Sequence, residues 1–125
     1  MRKLASILFV LSLLTASFAQ VLYPRTASAE DVWVTTEYSS PEHRHDYYAQ
    51  AHLIKDDNKI IEFTVPVKSL FDGKLSNIAT YKFRYIGYWV CSPRTGTKNI
   101  NEFAFEKALF DVCIPYSKYA QKYPR

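Results

Sequence analysis

Hydrophobic and polar residues alternate along much of the chain, with the repeat of two that is typical of half-buried β-strands. β-branched and aromatic residues fill 32–38, and strict alternation follows in 46–54 and 61–68. The polar run 55–59 and the Asp72–Gly73 pair have the composition of tight turns. Pro66 cannot donate to a ladder, so its position should face an edge or a bulge. The pattern therefore predicts short strands joined by hairpin turns.

The clearest strand pattern lies between Ala79 and Cys91. Its odd positions are apolar from end to end, apart from a glycine, whereas basic residues occupy even positions. Gly87 interrupts this run, which predicts a bend or bulge that divides it into two strands. Cys91 lies on the apolar face.

Farther along, the hydrophobic repeat changes from two to three and four. This change predicts an amphipathic helix from about Asn101 to Ile114, with Asn99 and Glu102 as an approximate capping box and Pro115 after its end. The fold class is therefore α+β: one antiparallel sheet of about four to six strands with one C-terminal helix packed on it. Residues 116–125 are aromatic and basic, and are expected to form an extra turn or a loose tail. The core should combine both elements: Ile61, Phe63, Val65, Tyr81, Phe83, Tyr85 and Trp89 from the sheet, with Phe105, Leu109 and Val112 from the helix.

The first 29 residues have the layout of a secretory signal peptide. A cationic start is followed by the apolar run Leu4–Leu14, which at about 11 residues is too short to cross a bilayer. The small residues Ala27 and Ala29 then supply a cleavage pattern, so Ala29 and Glu30 should flank the cut. A cut after Ala19 and an uncleaved anchor helix are the alternatives. The mature chain would be one domain, 30–125.

The charge of the chain depends on this leader. The whole sequence has 16 basic and 12 acidic residues and an isoelectric point near 9.0. Three of the basic residues and none of the acids lie in the first 29 positions, so the mature chain is nearly neutral. Basicity therefore gives no argument for a nucleic-acid partner.

The sequence has two cysteines, Cys91 and Cys113, and each lies on a predicted core face. In an exported protein with two cysteines, one disulfide is the default expectation. We therefore expect a bridge that tethers the helix to the sheet.

Candidate chemistry is sparse. His43, His45 and His52 could be metal ligands, but a solvated polar loop explains them better, and no metal is expected. The acidic pairs Asp56–Asp57 and Glu102/Glu106 fit a turn and a helix start better than a catalytic pair. Because no nucleophile, base and orienting group converge, we expect neither an enzyme nor a cofactor.

Two aromatic and basic segments remain as candidate surfaces. Lys82 and Arg84 lie near Tyr81 and Tyr85 in sequence but on the opposite strand face, so stacking and charge do not converge. The tail combines tyrosines with lysines and is expected to pack on its own domain or fray, with docking on a partner as the alternative; these residues are Tyr116, Lys118, Tyr119, Lys122 and Tyr123.

The order of several features resembles the surface-adhesin protein E family of small exported bacterial domains. Trp33 opens the first strand, Asp46-Tyr47-Tyr48 opens the second, a valine-rich strand follows, and a strand cysteine precedes a helix cysteine. The resemblance implies an antiparallel sheet with a disulfide-tethered C-terminal helix. Family members are implicated in binding host extracellular-matrix and plasma proteins. Only Cys91 and Cys113 match, as structural positions, and the lipid-anchor cysteine of the family is lacking.

These observations favour an exported, non-enzymatic binding module with a protein partner, adhesin-like by analogy with that family. The alternative is a periplasmic accessory or structural domain that associates with other proteins of the bacterial cell envelope. The expected location is periplasmic, cell-surface or secreted. No stable membrane insertion is expected after cleavage.

Overall fold

The computed structural model describes residues 30–125. Six strands cover β1 (Val32–Ser40), β2 (His43–Ala49), β3 (Lys55–Asp56), β4 (Glu62–Phe71), β5 (Lys74–Tyr85) and β6 (Trp89–Ser92). The helices are α1 (Ala104–Cys113) and α2 (Lys118–Lys122), and 3₁₀ turns cover Ala51–Leu53, Ile100–Glu102 and Ile114–Tyr116. The predicted signal peptide, with Ala29 of its cleavage site, lies outside the described residues. Within the described part of the chain, no helix is long and apolar enough to cross a bilayer.

The strands form one curled antiparallel sheet in the order β1-β2-β4-β5-β6, and β3 pairs with β4 beyond the end of β2. The sequence-based expectation of a single antiparallel sheet with a C-terminal helix is confirmed. β5 ends before Gly87 and β6 begins after it, so the predicted division of that run is also confirmed. Gly87 has a φ of +97°, a conformation that residues with a Cβ rarely adopt.

The core lies between the inner face of the sheet and α1. Alternate β4 residues Phe63, Val65 and Val67 are buried there, because a strand presents every second side chain to one face. Phe83, Trp89 and the helix residues Phe105, Leu109 and Phe110 complete this layer. Of the predicted core, Ile61, Tyr81, Tyr85 and Val112 are half-buried at its margin.

The second predicted strand differs in its bounds. β2 starts at His43 and stops at Ala49, whereas the alternation had predicted 46–54. After Gln50 the chain turns through a 3₁₀ segment before β3 pairs with β4. The Gln50 N–H donates to the Pro66 carbonyl at 2.8 Å, at the point where β2 leaves β4. Pro66 thus sits at a gap in the ladder, where its missing donor is tolerated.

The helix α1 also starts later than the sequence predicts. The Asn99 side chain accepts from the Asn101 N–H at 2.9 Å and caps the separate 3₁₀ turn Ile100–Glu102. Phe103 is then extended, and α1 begins at Ala104. The capping residue was identified correctly, but it caps the short turn that precedes the helix.

The predicted disulfide is wrong. Cys91 and Cys113 are both fully buried and both free, and their sulfurs are not near bonding distance. Each side chain does face the core, as its strand or helix repeat indicated. Sharing one core brings two side chains into the same layer but does not set the sulfur separation and Cβ directions that a bridge requires. The helix is held by packing and by ion pairs of Glu106 and Asp111 with arginines, without the disulfide that the protein E resemblance implied.

The last ten residues dock on the domain. Ser117 is fully buried; its hydroxyl donates to Asp56 Oδ1 at 2.6 Å and accepts from the Ala120 N–H at 3.3 Å. Tyr123 stacks on Tyr85 with ring centroids 4.7 Å apart. Arg125 donates two hydrogen bonds to the Asp111 carboxylate, at 2.6 and 2.7 Å. The aromatic and basic tail is therefore part of the fold and does not form a loose end.

Candidate binding face

The outer face of the sheet, opposite α1, carries a row of four side chains across β1, β2, β4 and β5. Trp33 pairs with Tyr48, Tyr48 with Lys68, and Lys68 with Ile78. Residues directly opposite one another in antiparallel strands point to the same face, so these side chains lie side by side. Trp33 is 54% exposed and Ile78 is 51% exposed. We call Trp33, Tyr48, Lys68 and Ile78 the outer row.

Exposed apolar side chains continue on the same face next to the outer row. Thr36, Asp46, Leu70 and Leu75 form the adjacent row, in which Leu70 is buried and Leu75 is 48% exposed. Tyr38, opposite Arg44, is 63% exposed. Several large apolar side chains exposed on one sheet face are a feature of interaction surfaces, whereas isolated exposed hydrophobic residues are common everywhere.

A chain of hydrogen bonds orients Trp33 over the sheet. The indole Nε1 donates to Thr36 Oγ1 at 2.9 Å, and the Thr36 hydroxyl donates to Asp46 Oδ1 at 2.7 Å. The Arg44 Nε donates to the same Asp46 oxygen at 2.9 Å. Because the polar atom of Trp33 is satisfied inside the protein, its exposed ring offers only apolar surface. Asp46 is 8% exposed and anchors the relay.

Arg44 stays charged beside these aromatic residues. Its hydrogen bond to Asp46, and then the negative charge of that carboxylate, raise the pKa of Arg44 above its ordinary value. The guanidinium neutralises Asp46, so the relay adds no net charge to the face. The charge of Lys68 is likewise neutralised, because its Nζ lies 3.0 Å from Asp31 Oδ2. The outer row thus carries no unpaired charge, and Lys68 stands between Tyr48 and Ile78 in the strand register.

Three exposed cations lie at one end of the outer face. Lys55 and Lys82 both pair with Thr64, and Arg84 pairs with Glu62 in the next row. None of the three forms an ion pair with any residue that the structure describes. We call Lys55, Lys82 and Arg84 the cationic end. The strand repeat predicts that Lys82 and Arg84 lie on the opposite face from Tyr81 and Tyr85, and the structure places those tyrosines against the core cluster. Other aromatic residues, from β1 and β2, share the face with the cations.

The three histidines do not converge. His43 Nδ1 lies 3.0 Å from Asp72 Oδ2, and His45 packs on Phe71 with ring centroids 4.6 Å apart. His52 lies 3.6 Å from Glu30, away from the other two. Across residues 30–125, no group of three or more potential ligands is arranged to hold a metal ion.

The acidic pairs have structural partners. The Asp57 carboxylate accepts from the backbone N–H groups of Ile60 and Lys59, and these bonds lower the pKa of Asp57. Asp56 accepts from Ser117 and from the Lys118 N–H. Asp57 thus stabilises the β3–β4 turn, and Asp56 stabilises the tail.

Glu102 and Glu106 lie in the first turns of the 3₁₀ segment and of α1, as expected of a helix start, but Glu106 is buried. It is 2% exposed, and its Oε1 lies 2.9 Å from Arg94 Nε. The Arg94 guanidinium also lies over the Phe105 ring, 5.2 Å from the ring centroid.

Burial and the nearby Glu106 charge raise the pKa of Cys91 to about 12, and burial raises the pKa of Cys113 to about 12. Both thiols are therefore protonated and unreactive at neutral pH.

Sequence reasoning missed the outer face because no local motif marks it. Trp33, Tyr48 and Ile78 are far apart in the chain and are joined only by strand order and register. The sequence does contain an indication: Trp33 and Tyr48 each adjoin a buried residue, Val34 or Ala49, and therefore belong to the solvent-facing side of the two-residue repeat. Large aromatic residues at solvent-facing strand positions are the pattern to look for.

Comparison with known proteins yields no relative: no protein-family model, curated protein or solved structure matches the chain. The resemblance to the protein E family therefore rests on the sequence layout alone.

Proposed function

We propose that the protein is an exported, non-enzymatic binding module that takes a protein partner on the outer face of its sheet. The observation that carries this proposal is the outer row, where Trp33 is exposed and yet held in one orientation through Thr36 and Asp46. Fixed aromatic side chains lose little conformational entropy on binding, which is why they dominate the energetics of many interfaces.

A catalytic role has less support. Two buried carboxylates of the described chain, those of Glu106 and Asp46, are each paired with an arginine. The two thiols are buried and protonated. A periplasmic accessory role is the second candidate function. It would use the same face, with an envelope protein as partner in place of a host protein.

Site-specific photo-cross-linking tests the proposal. A photoreactive amino acid replaces Tyr38 or Ile78 on the outer face, and Lys107 on the exposed side of α1 is the control position. We expect one and the same protein adduct from the two outer positions and none from Lys107. Adding Trp33→Ala should reduce the Ile78 adduct, whereas Tyr116→Ala, at an exposed aromatic residue outside the sheet, should leave it unchanged.

Two results would overturn the proposed function. One is the absence of an adduct at both outer positions, and the other is an equal yield of adduct at Lys107. Protease treatment of intact cells then separates the two candidate roles, because an adhesin must be accessible from outside and a periplasmic domain is protected.

A further inference from the structure

The two ends of the outer face differ in chemistry along the strands, and the proposed function leaves this difference unexplained. Large apolar side chains flank the paired Lys68 in the outer row, and three cations without an ion pair lie at the cationic end. Ile78 and Lys82 are four residues apart on β5, and Arg84 is two residues farther. At about 3.4 Å per residue, the cations lie roughly 14 to 20 Å from the outer row.

Acidic residues near the cationic end offset only part of its charge. Glu62 pairs with Arg84 in the β-sheet register, but the two side chains form no ion pair. Asp57 accepts two backbone hydrogen bonds, and the charges of Lys59 and Lys82 lower its pKa further without forming an ion pair with it. Arg44 and Lys68, in contrast, form ion pairs with Asp46 and Asp31. The three cations without an ion pair thus lie together at one end of the face.

We propose that this face binds an extended acidic segment of the partner protein, with apolar side chains on the outer row and carboxylates at the cationic end. The inference rests on the proposed function and adds the chemistry and orientation of the ligand. An extended chain covers the distance from Ile78 to Arg84 with about six residues. Ile78 and Leu75 need apolar side chains to cover them, and a protein segment supplies apolar and acidic groups together.

Other anionic ligands fit the face less well. A sulfated polysaccharide has charge for Lys82 and Arg84 but no apolar group for Ile78. Single-stranded nucleic acid needs aromatic residues and cations side by side, whereas here about 14 Å separates them. An anionic membrane suits cations that surround an apolar patch, and these cations lie at one end only.

Titration with synthetic peptides, followed by amide NMR shifts of the purified protein, tests the inference. The probe peptide has ten residues, with leucine and phenylalanine near one end and four glutamates near the other. The control peptide replaces every glutamate with glutamine. We expect shifts at Trp33, Ile78 and Lys82 with the acidic peptide, and at least tenfold weaker binding of the glutamine peptide.

Charge-reversal variants supply the matched control. Lys82→Glu with Arg84→Glu should weaken binding of the acidic peptide at least tenfold, and added salt should weaken binding to the unaltered protein. Lys98→Glu with Lys107→Glu makes the same change in net charge away from the sheet, and should leave the affinity unchanged.

Three outcomes would overturn the inference. They are equal affinity for the two peptides, no shifts at millimolar acidic peptide, and binding only to a sulfated oligosaccharide or to anionic vesicles. Cross-linking at Ile78 separates the two proposals. An adduct at Ile78 together with equal peptide affinities would refute the acidic segment and leave the binding face in place, whereas absence of an adduct at both Ile78 and Tyr38 would refute the proposed function itself.

Discussion

The indole Nε1 of Trp33 donates a 2.9 Å hydrogen bond to the hydroxyl of Thr36, three residues along the same strand. The Thr36 hydroxyl in turn donates a hydrogen bond to the carboxylate of Asp46 on β2. An exposed tryptophan is thereby fixed by a charge that is almost completely buried. A change at Thr36 can therefore test the orientation of the Trp33 ring without removing the ring.

Thr36→Val should free the Trp33 ring while keeping the shape of the strand. We expect faster ring motion, and weaker partner binding without a large loss of stability. Time-resolved fluorescence anisotropy measures the motion, with Trp89→Phe introduced so that Trp33 is the single reporter. Thr80→Val, on β5 away from the relay, is the control, and an unchanged anisotropy decay in Thr36→Val would show that the hydroxyl does not hold the ring.

The thiols of Cys91 and Cys113 should be free in the purified, unreduced protein. A thiol-specific reagent should modify both after denaturation and react far more slowly with the folded protein, because both side chains are buried and protonated. Protein that contains no free thiol after denaturation without reductant would contradict the structure.

The same thiols should lower the stability of the protein in alkali. Their pKa is about 12 in the folded protein, against an ordinary value of 9.0, so folding disfavours the thiolate. The free energy of unfolding should therefore fall as pH rises above about 9 towards 12, with no effect of these thiols at lower pH. Thermal unfolding across this range measures the loss. The double variant Cys91→Ala with Cys113→Ala should show a smaller alkaline decrease, and an identical pH dependence would exclude the thiols as its cause.

Removing Arg94 should destabilise the protein more than neutralising Glu106. In Arg94→Met the buried Glu106 carboxylate loses its cation, which should lower the free energy of unfolding by about 2–3 kcal/mol; the half-exposed guanidinium keeps this figure below that of a fully buried pair. Glu106→Gln should have a smaller effect, and Arg94→Met should add little in its presence. Urea unfolding of the four proteins measures the coupling, and additive losses would show that the pair is not coupled.

Ser117→Ala should loosen the C-terminal tail. The change removes the cap of α2 and leaves Asp56 Oδ1 without its hydroxyl donor, so we expect about 1–2 kcal/mol lower stability. Amide exchange should accelerate from 118 to 122, where the helix unfolds locally. Ser39→Ala, at an exposed position on β1, is the control and should change neither measurement. Unaltered exchange in Ser117→Ala would mean that Tyr123 and Arg125 hold the tail without the cap.

The sequence by itself determined the local elements and the side of each that is buried. The two-residue repeat placed Phe63 and Val65 in the core, and the three-and-four repeat placed Leu109 opposite them. Gly87 marked the division between β5 and β6. These features depend on hydrophobic periodicity and backbone conformation, which neighbouring residues set.

Only the tertiary structure decided how those elements combine. Strand order and register place Trp33, Tyr48, Lys68 and Ile78 in one row, although 45 positions separate the first from the last. Packing also buries Glu106 beside Arg94 and keeps Cys91 from bonding to Cys113. Residue pattern specifies which face of an element is apolar, but the separation of two side chains depends on how whole elements meet, and the pattern of a single chain does not contain that distance.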